Sequence, residues 1–557
     1  MQAQPHRHRR QAGRTWPFVL VALLVLAGIG WVNRVSLLIF AAPYIQQVRD
    51  PVGPTQEITW AAGPATAPAG KRPPNIVVIV ADDLGYNDLT WRGGGVAGGS
   101  VPTPQIDSLA RSGVEFSQGY AGNATCAPSR AAIMTGRYAT RFGYEFTPTP
   151  GLMARALAAS SPPERGLVFH EDLVDQVPAS SELGLPLGEI TLAEALKARG
   201  YRTLGIGKWH LGDAERFQPK HQGFDEFLAT NIMSADPDDP GIVNSRHDFD
   251  PIDNFLWRNM VFSARWNGGP RFTPPTYLVD YMADEAVKAI DANRNRPFLL
   301  YLAFYAPHTP LQATKADYDA LSHIADHRTR VYAAMIRALD RGVGKVLAQL
   351  KASGLDENTL VLFTSDNGGA DYIAIDGINA PFRGWKMTFF EGGIRTPFFA
   401  RWPGVIPAGS RLDAPVAHID IFPTAVAAAG GQLPADRRID GVNVLPYVLG
   451  TAPGVPHESL FWRSGQYQAV RVGDWKLQRN ERPAQQFLYD LKADPTERRN
   501  LARANPAKLA ELTAALERYN AEMAAPMWPA LLEAPHHPDH HILDTPPPGA
   551  EVVMWPN

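Results

Sequence analysis

The sequence predicts an α/β fold: a large mixed, mostly parallel sheet flanked by helices, with a smaller C-terminal domain of short antiparallel strands and a helix. Short apolar runs without polar alternation, typical of strands buried on both faces, alternate with stretches of helical length. Such alternation is typical of parallel sheets with helical crossovers. The apolar runs lie at 75–81, 201–206, 298–304 and 359–364, and the helical patterns at 104–112, 128–139, 189–199, 277–292 and 327–353.

The composition is that of an ordinary globular protein. Of 557 residues, 45% are hydrophobic and 20% are charged, which excludes a disordered or fibrous chain. The net charge of -3 gives no bulk electrostatic preference for nucleic acid, and we expect no nucleic-acid partner. The single cysteine, Cys126, excludes a disulfide framework and a zinc cluster built from thiolates.

The N-terminal 45 residues are typical of an export or membrane-anchoring segment. Basic residues from His6 to Arg14 precede an apolar run, Trp16 to Val32, which resumes from Val35 to Ala42. The positive flank predicts a cytoplasmic tail, with the chain beyond about residue 45 on the extracytoplasmic side. Cleavage after Ala42 remains open, although the length of the run favours an uncleaved anchor over a signal peptide.

The rest of the chain divides by composition. We expect a linker at 46–73, a main domain at 74–450, a small C-terminal domain at 451–525 and a solvated Pro-rich tail at 526–557. The C-terminal domain should contain short strands at 463–477 and 486–491 and an amphipathic helix at 506–523. The run 414–429 looks like a core helix region. The weakly periodic segment 231–272 is either a wall of the functional site or a surface excursion.

Polar side chains follow four of the predicted strands. Asp82-Asp83 and Asp366-Asn367 offer oxygen ligands, while Lys208, His210 and His308 follow the other two apolar runs. Each cluster taken alone also fits a turn or a helix cap. However, open α/β sheets place their sites beyond the carboxyl ends of the strands, so the four clusters are expected to converge. Several oxygens without a thiolate suit a hard divalent cation, calcium better than zinc.

The segment around Cys126 is the most specific motif in the chain. It reads Cys126-Ala127-Pro128-Ser129-Arg130 and ends in Thr135-Gly136-Arg137. Pro and Ser in the first turn of a helix place Cys126 at the electropositive N-terminus. This segment resembles the signature of type I sulfatases, the formylglycine-dependent, arylsulfatase-like family. The resemblance extends over most of 74 to about 500, through Asp82-Asp83-Leu84-Gly85, Gly207-Lys208-Trp209-His210, Ser365-Asp366-Asn367-Gly368-Gly369 and Arg383-Gly384-Trp385-Lys386.

The resemblance implies an alkaline phosphatase/sulfatase-like fold with a catalytic domain at 74–450. It also implies that a formylglycine-generating enzyme oxidises Cys126 to Cα-formylglycine, whose aldehyde is hydrated to a gem-diol. The calcium ligands implied are Asp82, Asp83, Asp366, Asn367 and an oxygen of the modified Cys126.

The same resemblance implies a role for each of the remaining site residues. Arg130 holds the diol, and Lys208 and Lys386 neutralise the sulfonate together with calcium. One diol oxygen attacks sulfur, with Asp366 as the proton acceptor. His308 protonates the departing alcohol. His210 takes the proton of the second hydroxyl, so that the adduct collapses to the aldehyde and expels sulfate.

These observations predict an exported or membrane-anchored, calcium-dependent sulfuric ester hydrolase of arylsulfatase type. Its substrate is expected to be a sulfated small molecule or a sulfated sugar. A phosphodiesterase or phosphonate monoester hydrolase of the same superfamily is the alternative, because tetrahedral anions need similar cations. A catalytically silent surface binding protein is plausible only if Cys126 stays a thiol.

Overall fold

The computed structural model describes residues 16–32, 41, 44–67, 69–70 and 72–557. The predicted basic flank before residue 15 and most of the second apolar run, 35–42, lie outside the described residues. The chain falls into two compact units, residues 1–49 and residues 50–557. The domain boundaries expected within the second unit stay a prediction.

The strands and helices are numbered in chain order within the described residues. The strands are β1 Val52–Gly53, β2 Asn75–Asp82, β3 Val114–Tyr120, β4 Val168–Phe169, β5 Arg202–Gly207, β6 Glu226–Thr230, β7 Ile242–Ser245, β8 Ala264–Trp266, β9 Arg271–Phe272, β10 Phe298–Pro307, β11 Leu311–Thr314, β12 Thr359–Ser365, β13 Phe398–Arg401, β14 Ser410–Ala417, β15 Ser459–Ser464, β16 Tyr467–Val472, β17 Trp475–Glu481, β18 Ala484–Asp490, β19 Leu532–His536 and β20 Val553–Pro556. The helices are α1 Trp16–Val32, α2 Val96–Gly99, α3 Pro104–Arg111, α4 Cys126–Thr135, α5 Gly151–Ser160, α6 Leu192–Lys197, α7 Pro251–Asn259, α8 Leu278–Ala292, α9 Lys315–Asp319, α10 His327–Ala352, α11 Glu391–Ile394, α12 Ile421–Ala428, α13 Leu445–Val448 and α14 Pro506–Glu522.

The first unit contains the apolar helix α1, which has 17 residues. Its side chains Trp16 and Phe18 are more than 70% exposed. Within the described residues, no helix has both the length and the apolar character needed to span a bilayer.

The main sheet contains eleven strands of the described chain, in the order β1-β9-β8-β6-β5-β10-β2-β12-β13-β3-β14. The four central neighbours β5, β10, β2 and β12 are mutually parallel. Antiparallel pairs join β12 to β13, β13 to β3, and β6 to β8. The predicted mixed, mostly parallel sheet is confirmed, and the four predicted strand ends lie at one edge of it.

Strand β2 lies in the middle of the core, which explains its lack of polar alternation. Val77 and Ile79 pack into the hydrophobic cluster on one face of the sheet, with residues of α8 and α10. Ile76 and Val78 pack into a second cluster on the other face, with residues of α4, α6 and α12. Both faces of the strand are therefore covered by helices, as expected for a parallel sheet.

The small C-terminal sheet is an antiparallel meander of β15, β16, β17 and β18. Helix α14 packs on it through Leu512 and Leu516, which share a hydrophobic cluster with Val470 and Leu477. The predicted short strands and amphipathic helix are confirmed. The core helix region at 414–429 is confirmed only in part, because its first residues belong to strand β14 and helix α12 begins at Ile421.

The linker interpretation of residues 46–73 is wrong for its middle part. Strand β1 pairs with β9, and the Asp50 carboxylate forms ion pairs with Arg265 and Arg271. Trp60 is buried, and its indole N–H donates to Glu285 over 2.9 Å. This part of the chain therefore packs against the main domain, because backbone pairing and a few large side chains compensate for its Pro- and Ala-rich composition.

The interpretation of residues 526–557 as a solvated tail is also wrong. Strand β19 pairs with both β20 and β4. Trp555 in β20 is 1% exposed and packs edge-on against Phe389, with ring centroids 5.3 Å apart. The tail is therefore an integral part of the second unit.

We expect Trp555→Ala to lower the free energy of unfolding by about 3–5 kcal/mol, because it leaves a cavity among buried aromatic rings. Urea unfolding followed by tryptophan fluorescence and circular dichroism measures the loss. Leu543→Ala is the matched control, because Leu543 lies in the same tail and is 46% exposed. Equal stability of the two variants would contradict the packed tail.

Candidate active site

Cys126 begins helix α4 at the carboxyl edge of the main sheet. The helix ends where Gly136 adopts a left-handed conformation, with φ of 67°. The Cys126 side chain is 3% exposed. Its sulfur lies 3.5 Å from Asp82 Oδ1 and 3.9 Å from Asp83 Oδ1. The helix therefore aims its first residue into a buried group of carboxylates.

Lys208 forms a buried ion pair with Asp82. Its ammonium group donates to both carboxylate oxygens, over 2.9 and 2.7 Å. The chain reaches this position through Gly207, whose φ is 103° and where a Cβ atom would lie 2.0 Å from the carbonyl oxygen of Ala303. A glycine is therefore required for the close passage of the chain beside β10.

Arg130 lies one turn beyond Cys126 on the same helix and is fully buried. Its Nε and Nη2 atoms donate to Asp366 Oδ2 over 2.9 and 2.7 Å. The other oxygen, Asp366 Oδ1, accepts from the backbone N–H of Asp83 over 3.2 Å. Asp366 is therefore held from two sides.

Asp83 receives donors from three residues that lie far from it in the sequence, all in one later stretch of the chain. Lys386 Nζ donates to Oδ2 over 2.8 Å, and the Tyr372 hydroxyl donates to the same oxygen over 2.9 Å. Asn367 Nδ2 donates to Oδ1 over 2.7 Å. The backbone of Asp83 is left-handed, with φ of 59°, which is strained for this residue and is maintained by these contacts.

The three carboxyl groups of the site differ in the direction of their pKa shifts. Burial raises the pKa of Asp82 to about 7, although Lys208 opposes this shift. Burial acts in the same direction on Asp83, but Lys386 and His308 outweigh it and lower the pKa of Asp83. Burial is likewise outweighed at Asp366, whose pKa is lowered by Arg130 and Lys208. The three cationic side chains therefore do not remove the mutual repulsion of the carboxylates completely.

Both predicted histidines reach the site. His308 contacts the carbonyl oxygen of Thr309 through Nδ1, while its Nε2 lies 3.3 Å from Lys386 Nζ. Burial lowers the pKa of His308 to about 3. Burial also lowers the pKa of His210 well below its usual value, with further contributions from Lys208 and Arg130. Both rings are therefore neutral at neutral pH, and His210 Nδ1 is buried without a hydrogen-bond partner among the described residues.

The residues present fit a divalent cation. Ligand atoms of Asp82, Asp83, Cys126 and His308 all lie within 4.8 Å of one another. In the part of the chain that the structure describes, Asn367 Oδ1 is buried without a hydrogen-bond partner, although its amide nitrogen is satisfied. An orphaned amide oxygen beside crowded carboxylates is what a hard cation would satisfy.

The sequence analysis missed Tyr372 and Tyr305. Tyr372 contacts Asp83 and accepts from Lys386 Nζ over 2.9 Å, but it lies in a loop without periodicity or motif. Tyr305 places its ring 5.6 Å from Lys208 Nζ. Tyr305 comes directly after the predicted apolar run 298–304, and this position is a signal that could have found it, because other site residues also follow such runs.

Comparison with known proteins places the chain in a family. The family model "Sulfatase" matches residues 74–431, and the model "N-sulphoglucosamine sulphohydrolase, C-terminal" matches residues 383–524. The chain therefore belongs to the sulfatase family, and it is a sulfuric ester hydrolase. The resemblance drawn from the Cys126 motif is confirmed at this level.

Several individual proteins are similar to this chain. Steryl-sulfatase of Mus musculus is 34% identical, with 74% of this chain and 71% of the relative covered. N-acetylgalactosamine-6-sulfatase of Mus musculus is also 34% identical, with 74% and 72% covered. The structure described as "Crystal structure of Ps i-CgsB in complex with k-i-k-neocarrahexaose" has a TM-score of 0.68 and 30% identity, with 82% and 95% covered.

We expect Asp83→Ala to lose bound divalent cation and turnover, because it removes a carboxylate that the geometry makes a candidate ligand. Metal content of the purified protein, measured by inductively coupled plasma mass spectrometry, checks the first effect independently of activity. Asp436→Ala is the control, since the Asp436 side chain is 63% exposed and pairs only with its neighbour Arg437 within the described contacts. Normal metal content in Asp83→Ala would refute the ligand assignment.

Proposed function

We propose that this protein hydrolyses sulfate esters with a Cα-formylglycine made from Cys126 and with a bound calcium ion. The observation that carries the proposal is the position of Cys126, buried at the N-terminus of α4 beside Asp82 and Asp83. Burial raises the pKa of the Cys126 thiol, so the unmodified side chain would be a poor nucleophile. Oxidation to an aldehyde, whose hydrate supplies an oxygen nucleophile, removes this difficulty.

The cationic side chains are proposed to bind the sulfate group. Lys208 and Lys386 contact the carboxylates nearest to Cys126, so they are suitably placed to take up the negative charge of the sulfuryl oxygens. A calcium ion held by Asp82, Asp83, Asp366 and Asn367 would add positive charge at the same place. Arg130 would orient the nucleophile from one turn further along the helix.

Proton transfer is divided among three residues in this proposal. Asp366 accepts the proton of the nucleophile, and His308 protonates the departing alcohol. The His308 ring is neutral in the free enzyme, but an anionic sulfate bound beside it favours the protonated ring. The protonated His308 is then the acid. His210 is neutral, and its Nδ1 accepts no hydrogen bond from any described residue, which supports its role as the base that acts after the alcohol has left.

We propose a sulfated small molecule or a sulfated sugar as the substrate. The relatives include a steryl-sulfatase and an N-acetylgalactosamine-6-sulfatase, whose names indicate a steryl sulfate and a sulfated amino sugar. A formylglycine-generating enzyme is the maturation partner. The basic flank and apolar run before residue 45 support an extracytoplasmic catalytic domain, either exported or anchored by the N-terminal segment.

Protein made with the modifying enzyme should carry an aldehyde at position 126. The tryptic peptide from Ser112 to Arg130 should show the mass change from thiol to aldehyde, and activity should follow the modified fraction. Cys126→Ser should release alcohol once and then stall as a sulfate ester, because serine lacks the second hydroxyl. Full activity of chains with only unmodified Cys126 would refute the mechanism.

The choice between sulfate and phosphate esters is tested on the same preparation. A nitrophenyl sulfate should be hydrolysed with a much higher kcat/KM than bis-nitrophenyl phosphate. A preference for the phosphate diester would instead support the phosphodiesterase or phosphonate monoester hydrolase alternative.

The two histidines should respond differently to substitution by alanine. A general acid contributes about 10²- to 10⁴-fold, but only where the leaving oxygen needs a proton. His308→Ala should therefore cost much less on a nitrophenyl sulfate than on an alkyl or sugar sulfate, by a difference approaching about 3 kcal/mol in transition-state energy. His210→Ala should give a burst of alcohol and then little turnover.

His221→Ala is the control for both histidines, because the His221 side chain is 46% exposed. Equal losses on both substrate classes in His308→Ala would make this residue a sulfate binder, and the two roles would need to be reassigned.

A further inference from the structure

Four contacts hold His308, one through its backbone and three through its ring. Its backbone N–H donates to the carbonyl of Tyr305 over 2.8 Å. Its Nδ1 contacts the carbonyl oxygen of Thr309, and its Nε2 faces Lys386 Nζ at 3.3 Å and Asp83 Oδ2 at 3.5 Å. The contact with Thr309 favours a proton on Nδ1, and together with the Lys386 contact at Nε2 it directs Nε2 toward Cys126 and its neighbours.

Thr309 is itself held by a carboxylate from another part of the chain. Its hydroxyl donates to Asp253 Oδ1, and both residues are fully buried. The second oxygen, Asp253 Oδ2, accepts from the backbone N–H of His247 over 2.7 Å and from the indole N–H of Trp257 over 2.9 Å. Two donors other than Thr309 therefore hold the second oxygen, so they position the Asp253 carboxylate independently of Thr309.

Asp253 lies in the first turn of helix α7, whose N-terminus is capped by Asp250. The Asp250 side chain accepts from the backbone N–H groups of Ile252 and Asp253 over 3.1 and 2.9 Å. This cap fixes the first turn of the helix. The carboxylate that contacts Thr309 is thus mounted on a rigid element.

The segment 231–272, which contains α7, is anchored along the strand that follows His308. Strand β7 pairs with β11 in an antiparallel register that places Ser245 opposite Leu311. The Gln312 side chain accepts from the backbone N–H groups of Ser234 and Ala235 over 2.9 and 3.2 Å. The segment and the residues after His308 therefore form one packed substructure.

We propose that Asp253 is a positioning residue, which acts through Thr309 to hold His308 in the orientation needed to protonate the leaving alcohol. The inference rests on the proposed function, in which His308 Nε2 gives its proton to the ester oxygen as the S–O bond breaks and that oxygen keeps the bonding electrons. The proposal assigns a role to the segment 231–272, which is to hold the proposed acid His308 in position through Thr309.

Thr309→Val is the sharpest test, because it removes the hydroxyl donor and keeps the shape of the side chain. We expect kcat/KM for an alkyl or sugar sulfate to fall at least about tenfold, with little change for a nitrophenyl sulfate. Thr309→Ser retains the hydroxyl and should restore the alkyl sulfate activity. Asp253→Asn should give the same selective loss as Thr309→Val.

The matched control is Thr314→Val. The Thr314 hydroxyl donates to Asp317 over 2.8 Å, so this substitution also breaks a hydroxyl–carboxylate contact in the same stretch of chain, but away from His308. It should leave the ratio of alkyl to aryl sulfate activity unchanged. Adding Thr309→Val to His308→Ala should cause no further selective loss, because the residue acts through His308.

A spectroscopic measurement separates failure of this inference from failure of the proposed function. In protein labelled with ¹⁵N-histidine, the His308 ring signals, assigned with His308→Ala, should report the Nδ1–H tautomer and should shift or broaden in Thr309→Val. Unchanged ring signals, or equal losses on both substrate classes, would overturn the positioning role. Absence of any sulfate ester turnover in the unsubstituted enzyme, with the ring signals still altered in Thr309→Val, would overturn only the proposed function.

Discussion

The burial of three carboxylates against three cations is the constraint on which the site depends. Asp82, Asp83 and Asp366 are almost wholly removed from solvent, as are Arg130, Lys208 and Lys386. Isolated charges at this depth would be strongly destabilising, and removal of one partner leaves the other uncompensated. The cluster is therefore tolerated only because each charge has a partner within hydrogen-bond distance. The cluster also prepares the site for a cation and an anion, since both can enter without creating an isolated charge.

Segments far from the strand ends supply the support for this cluster. The loop that carries Tyr372 and Lys386 is held by the C-terminal tail, where His536 Nδ1 lies 2.8 Å from Asp371 Oδ2. Arg383, three residues before Lys386, donates to the Asp539 carboxylate over 2.6–3.0 Å. The segment 231–272 holds the other side through Asp253. The main sheet holds the backbone of residues at its strand ends. The contacts made by His536, Asp539 and Asp253 hold the segments that lie outside the sheet.

The sequence predicts the inner part of this arrangement and not the outer part, for a physical reason. Asp82, Lys208, His308 and Asp366 stand at the ends of apolar runs, and parallel strands bring such ends together whatever the loops do. Asp253 and Tyr372 lie in segments without periodicity, so their placement depends on long-range packing that a local pattern does not encode. The prediction of a solvated tail is wrong for a related reason. Its Pro- and His-rich composition is typical of solvated chain, but Trp555 packs in a buried position against Phe389 and Tyr467.

Because the cluster is deeply buried, its side chains contribute little to the choice of substrate. Cys126 is 3% exposed, Lys386 5% and His308 8%, so these side chains offer almost no surface to the alcohol part of an ester. The sulfate group is the same in a steryl sulfate and in a sulfated sugar. A charge cluster that binds only this group cannot distinguish the two substrates. Discrimination requires contacts with the alcohol, which the outer loops must provide. Because Asp253 connects the segment 231–272 to His308 through Thr309, a change in this segment would also move the proposed acid. Leaving-group catalysis would then depend on a segment outside the main sheet, whereas the charges proposed to bind the sulfate group are held within the cluster itself.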